Sequence, residues 1–156
     1  MTEKHKRNSS EPEPISHELD TLTVSLIDYS LDLLSETGAL PPTLAAEDAR
    51  GSRTLLSFDD EDFEECIEEI RTQLVSAAKG KRTIEGLEGR PVRYAIAYDG
   101  VIDENGDGYE PALVVEYGEE GLSSGYSLYV FYRNAGEPQE FMWTDPAAAG
   151  EGELLV

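Results

Sequence analysis

This 156-residue chain is predicted to be an α+β protein: an antiparallel sheet of four or five strands with two helices packed on one face. Three observations predict it. Two stretches, 16–36 and 60–79, bring apolar side chains back every three to four residues, as a helix with one buried side requires. Several shorter runs alternate apolar and polar residues and are rich in Val, Ile, Tyr and Phe, as strands are. The last three of these runs are joined by connections with no helical pattern, so no crossover is available and they pair antiparallel. Hydrophobic residues make up only 39% of the chain, so part of it is expected to stay outside the core.

In order, residues 1–14 are polar, carry Ser and Pro, and lack periodicity. They bury too little to offset their ordering entropy and read as a disordered tail. A single domain is expected over 15–143. Ser16 is a suitable N-cap for the first helix. Leu19, Leu22, Leu26, Tyr29 and Leu33 form its main stripe, and Val24, Ile27, Leu31 and Leu34 form a second beside it. Gly38 ends the helix, and Pro41 and Pro42 prevent its continuation. "RTLLSF", 53–58, reads as a strand, with Leu44 to Glu47 as its hairpin partner. The acidic run Asp59, Asp60, Glu61 and Asp62 then suits the positive end of the second helix. That helix would bury Phe63, Ile67, Ile70 and Leu74 against the sheet, with Cys66 as a small buried hydrophobe on the same face.

After a Gly-rich, charged linker at 80–90 come strands at 92–102, 111–117 and 126–133. In the last, Tyr126, Leu128, Val130 and Tyr132 face one way, Tyr129 and Phe131 the other. An apolar set on both faces marks either a central strand covered twice or an interface, which makes Tyr129 and Phe131 candidate interaction residues. A short last strand is expected at 140–143. Residues 144–156 read as an irregular tail, with Leu154 to Val156 packing back on the core.

Composition narrows the function. There are 33 acidic residues against 12 basic ones, for a net charge of −21. That balance excludes nucleic acid and anionic membranes as expected partners, since both need Lys and Arg. It leaves a basic protein partner, or self-association into a homodimer. Acidity also serves solubility alone. The lone cysteine rules out an intrachain disulfide and a cysteine metal cluster. His5 and His17 lie in or beside the tail, away from any expected sheet, so no histidine-based triad is anticipated. No phosphate-binding glycine motif is present. No apolar run approaches the roughly 20 residues of a membrane span, and the N-terminal segment has no signal-peptide core, so the expected compartment is the cytoplasm.

One motif has two readings. In "DENGDGYE", 103–110, Asp103, Asn105 and Asp107 alternate and Gly108 follows. The first half of an EF-hand calcium loop is written this way, but its twelfth position must be a carboxylate and here is Val114. Asn-Gly and Asp-Gly between two strands equally write a hairpin turn, because these residues tolerate positive φ. The expectation is a hairpin tip that holds calcium weakly if at all, with no other cofactor. A second candidate is a carboxylate pair, Asp99 at the end of one strand and Glu116 on the next, close to Tyr98 and Tyr117. Brought together across the hairpin, they would suit a small carboxylate-based or metal-dependent hydrolase. The leading expectation remains a non-catalytic acidic interaction module.

"GALPPTL", "RYAIAYDG" and "GYSLYVFYR", in this order after a long helix, resemble small bacterial α+β proteins that carry no assigned activity. The resemblance extends over about 15–143. It implies the α+β fold and supplies no catalytic residue.

Overall fold

A computed structural model describes residues 13–59 and 62–156. Their elements are α1 (His17–Thr37), β1 (Thr43–Asp48), β2 (Arg53–Ser57), α2 (Phe63–Ala78), β3 (Pro91–Ile102), β4 (Glu110–Glu119), β5 (Gly125–Arg133), β6 (Met142–Trp143) and β7 (Ala147–Gly152). The strands form one antiparallel sheet in the order β2-β1-β3-β4-β5-β6, with β7 also pairing β5. The α+β class and the antiparallel pairing match expectation. The sheet has seven strands where four or five are expected. Part of the excess comes from the C-terminal segment: Ala147–Gly152 lies along β5 as a strand, although its Ala- and Gly-rich sequence has no strand pattern. The predicted tail at 1–14 falls mostly outside the described residues. Glu13 is described and is held, accepting hydrogen bonds from the Ser123 N–H and hydroxyl and from the Tyr126 hydroxyl.

The second correction concerns the helices, which cover opposite faces of the sheet. In β3, Ala95 and Ala97 point to one side, Tyr94 and Ile96 to the other. The alanines join a core with Leu19, Leu22, Leu26 and Leu34 of α1. Tyr94 and Ile96 join Ile70, Leu74 and Ala77 of α2, together with Leu44 and Ala46 of β1. Every residue of β1 is buried, as a strand between two others and beneath two layers must be. Ser16 caps α1, accepting the Leu19 N–H at 3.0 Å, and Gly38 closes it in the left-handed conformation at φ 82°. The Leu34 carbonyl accepts both the Gly38 N–H at 3.0 Å and the N–H of Gly136 in the β5–β6 turn at 2.8 Å, which ties that turn to the helix end. Asp62 caps α2, accepting the Glu65 N–H at 2.9 Å, whereas Asp60 and Glu61 lie outside the described residues. Ile67, Ile70 and Leu74 are buried as expected, but Phe63 is 41% exposed. It stands in the first turn of α2, at the rim of the sheet, edge-on to Tyr98 at 5.8 Å.

The C-terminal segment packs back on the α2 side, where Leu155 is 4% exposed. Two glycines make room for it. A Cβ on Gly118 would lie 2.7 Å from the Tyr94 hydroxyl, and one on Gly125 would strike the Glu153 carbonyl.

Buried charge locks one end of the sheet. Glu47 of β1 pairs with Arg53 of β2 at 3.1 Å and with Arg93 of β3 at 2.5 Å. Arg93 also binds Glu119 of β4 at 2.8 Å, and Glu119 accepts the hydroxyl of the α1 cap Ser16 at 2.7 Å. Nearby Asp48 is 1% exposed and accepts the N–H groups of Arg50 at 3.0 Å and of Ser52 and Gly89 at 2.9 Å.

Two expectations follow from these contacts. Arg93→Ala removes the shared cation from buried Glu47, which keeps only Arg53, and from half-buried Glu119, and should destabilise by about 2–4 kcal/mol. Arg90→Ala breaks only the half-exposed pair with Glu120 and should cost about 0–1 kcal/mol; urea unfolding of both variants checks the contrast. For Asp48, burial alone would raise the pKa, but the N–H groups of Gly89, Ser52, Arg50 and Glu88 outweigh it and hold the carboxyl below its usual range. Its contribution is therefore complete above the unfolded-state value of about 3.9 and is lost as pH falls through the lower folded value. Asp48→Asn should lower the melting temperature at neutral pH and flatten the acid limb of the stability curve.

Candidate functional site

The two carboxylates of the hydrolase reading are not brought together. Glu116 stands opposite Ile96, and Asp99 stands opposite Leu113. Cross-strand partners share a face and neighbours along a strand alternate, so Asp99 points to the α1 side and Glu116 to the α2 side. Each has its own partners. The Tyr132 hydroxyl donates to Asp99 at 2.6 Å. On the other face, Tyr98 and Arg71 both donate to Oε2 of Glu116 at 2.6 Å. Strand parity thus places the two carboxylates on opposite faces of the sheet, and Tyr117 is separated from Glu116 for the same reason.

Glu116 instead lies on the floor of a cleft of about 710 Å³ between α2 and the C-terminal segment. Tyr94, Tyr98 and Ser127 share the floor. Arg71, Lys79 and Lys81 line the helix side, and Glu151 and Glu153 line the other. Burial, then the Glu116 hydrogen bond and charge, push the Tyr98 pKa well above its usual value. Burial pushes that of Tyr94 up to about 12. Burial would lower the Arg71 pKa, but the bond and charge of Glu116 outweigh it and raise it. At neutral pH the phenols are protonated donors: Tyr98, with the Arg71 guanidinium, engages the Glu116 carboxylate, and Tyr94 donates to the Glu153 carbonyl. This is an interlocked floor holding α2 to β3 and β4.

The 103–109 loop is a hairpin connection, closing on the Ile102–Glu110 pair. Asp103 Oδ1 accepts the N–H of Gly106 at 2.7 Å and of Gly108 at 3.4 Å, and both glycines have positive φ, 79° and 127°. The Asp103 side chain is therefore used to shape the turn, while Asn105 and Asp107 are exposed beside it. Among the described residues, no group of three or more His, Cys, Asp or Glu is gathered to hold a metal ion.

Tyr129 and Phe131 share the α2-side face of β5, edge-to-face at 5.1 Å, as their alternation predicts. Both are partly buried. Tyr129 donates to Glu104 of the hairpin tip at 2.5 Å, which together with partial burial raises its pKa. The Phe131 N–H donates to the Thr144 hydroxyl at 3.0 Å.

The most exposed apolar side chains lie farther out at the same end of the sheet. Val101 is 59% exposed, Tyr109 74%, Met142 55% and Trp143 59%. Trp143 lies opposite Tyr132 and stacks on Phe141 at 5.7 Å. At this end also lie residues 58, 59 and 62 and the connections 38–42, 103–109, 134–141 and 144–146, and their sequences contain no Lys or Arg. They carry Asp59 and Asp62, Asp103, Glu104 and Asp107, Glu137 and Glu140, and Asp145. The adjacent Arg133 is turned to Glu110 at 3.5 Å. At the opposite end the 49–52 and 79–90 connections carry Arg50, Lys79, Lys81, Arg82 and Arg90. The chain is electrically polar along its strands. Sequence reasoning missed Tyr109 because a lone aromatic in a turn has no pattern, and Trp143 because a strand of two residues is too short to show which side is left uncovered. It missed the polarity because only the topology says which loops meet. No helix among the described residues is long and apolar enough to cross a membrane.

Comparison with known proteins finds no matching family model, no matching curated protein and no matching solved structure.

The cleft floor makes its own prediction. Groups whose folded pKa is raised contribute stability in full below the unfolded value, about 10 for tyrosine, and lose it as pH rises through the folded value. Ultraviolet titration of the wild type should therefore show a late-ionising tyrosine component. Tyr98→Phe should diminish that component, and Glu116→Gln should shift part of it to lower pH. Unchanged profiles in both variants would mean that Tyr98 is not held by Glu116.

Proposed function

We propose that this chain is a non-catalytic, acidic protein-interaction module, and that its partner is a basic protein engaged at the carboxylate-rich end of the sheet. One observation carries the reading: exposed Val101, Tyr109, Met142 and Trp143 share that end with connections rich in carboxylate and devoid of Lys and Arg. An apolar, aromatic centre within a charged rim is the anatomy of a protein–protein interface. Tryptophan and tyrosine contribute disproportionately there, because they bury much surface at little entropic cost. The surrounding carboxylates would steer a basic partner inward and make its association salt-dependent. Tyr129 and Phe131 flank this end on the α2 side, and the Tyr129–Glu104 bond ties the hairpin tip to the sheet beneath it.

The partner should be captured at low ionic strength and released as salt is raised. Trp143→Ala should weaken binding about 30-fold or more, the effect of losing a residue contributing about 2 kcal/mol. Charge reversal at Glu104 and Asp107 should slow association, whereas Arg50→Ala at the far end should change nothing. A partner that binds equally well at high salt and tolerates Trp143→Ala would defeat the proposal.

A further inference from the structure

The two edges of the sheet are finished differently. Beyond β5 the chain lays down β6 and then β7, so that edge ends in a bulged strand of Ala and Gly with Gly150 at φ 130°. At the other edge β2 pairs only β1. The Phe58 N–H donates to the Pro42 carbonyl and the Asp48 N–H to the Ser52 carbonyl. In an antiparallel ladder, alternate residues bond inward. Ser52, Thr54, Leu56 and Phe58 therefore bond toward β1, and Arg53, Leu55 and Ser57 turn their N–H and C=O groups outward. No bond from those outward groups occurs among the described residues. An uncovered edge of this kind is a template for another strand.

We infer that the β2 edge joins two copies of this chain into a dimer with one continuous sheet across the interface. Three features of the edge select a second copy. First, it is self-complementary. Antiparallel pairing about a two-fold axis at Leu55 sets Leu55 against its twin and Arg53 against Ser57 of the other copy, so no charge opposes its like. Second, β2 carries no carboxylate, and the Glu47 beside it is paired with Arg53 and Arg93. In a chain of net charge −21, two copies repel over most of their surfaces, and this edge lets them approach. Third, the edge has an apolar shoulder. Leu55, 46% exposed, and Tyr29, 38% exposed, border a shallow cleft of about 270 Å³ with Leu22 and Leu26 on the α1 face. The two-fold axis brings Leu55 and its shoulder from each copy to the same place, where they cover one another. The inference does not depend on the basic-partner reading, because it uses the opposite edge of the sheet from Trp143.

Mass by light scattering on the full chain at micromolar concentration should be that of a dimer. The Leu55 N–H points outward, so Leu55→Pro removes one intermolecular donor and spares the β1 ladder; it should give a folded monomer. Leu55→Lys sets like charges against each other on the axis and should also give a monomer, which keeps the test informative if the proline variant does not fold. Amide exchange should be slow at Arg53, Leu55 and Ser57 in the wild type and fast in Leu55→Lys, while Trp143→Ala should leave the mass unchanged. A wild-type monomer would overturn the inference, whether or not it takes up an added strand peptide. So would a dimer that persists in Leu55→Lys, or one in which those amides exchange freely.

Discussion

β3 lies mid-sheet between β1 and β4 and is covered on both sides, and the two coverings are unequal. Toward α1 it offers Ala95 and Ala97, with Ala45 beside them on β1. Toward α2 it offers Tyr94 and Ile96, with Leu44 and Ala46. Small residues let the long leucine-rich face of α1 come close to the backbone, while large ones fill the space under the shorter α2. The helices cannot share a face without leaving one of these sets in water, at roughly 25 cal/mol for each Å² of apolar surface exposed. Tyr94 then dictates its own surroundings: its ring and hydroxyl occupy the space that side chains at Gly118 and Gly125 would need, and the C-terminal segment closes over it.

Charge is sorted by the same topology. At the end where α1 begins, arginines are drawn into the sheet to neutralise Glu47 and Glu119, and Asp48 is held by backbone N–H groups alone. Burial of carboxylates without partners there would be prohibitive, so each is met either by a cation or by several backbone N–H groups. The far end faces water, where carboxylates need no partner. The polarity that distinguishes the candidate interaction face is therefore partly a by-product of how the buried end is stabilised. A reader of net charge alone sees acidity everywhere; the fold concentrates it.

The floor of the α2-side cleft shows how polar residues can be used to join a helix to a sheet. Tyr98, Glu116 and Arg71 are the sort of groups that perform acid–base chemistry, yet here they satisfy one another. The protonated phenol and the ion-paired carboxylate rigidify the junction of helix and sheet. The exposed apolar residues, in contrast, are held in place without being covered: Trp143 is stacked on Phe141, and Val101 is fixed in the β3–β4 ladder opposite Pro111. Preorganised and uncovered, they are the residues on which the proposed interaction rests.

The sequence by itself determined whatever depends on local periodicity and turn chemistry. The span and caps of α1, the acidic approach to α2, the β3–β4 hairpin around Gly106 and Gly108, and the alternation that sets Tyr129 and Phe131 apart from Val130 were all legible, because each is decided within a few residues of the chain. Tertiary structure decided the rest. Which face receives each helix depends on residue size in strands far apart in sequence. Whether Asp99 meets Glu116 depends on register parity, which a one-residue difference reverses. Ala147–Gly152 becomes a strand because the β5 edge offers it unpaired backbone groups, although its own side chains give no reason for it. Trp143 gains a neighbourhood of carboxylates only because antiparallel strands return distant loops to one end.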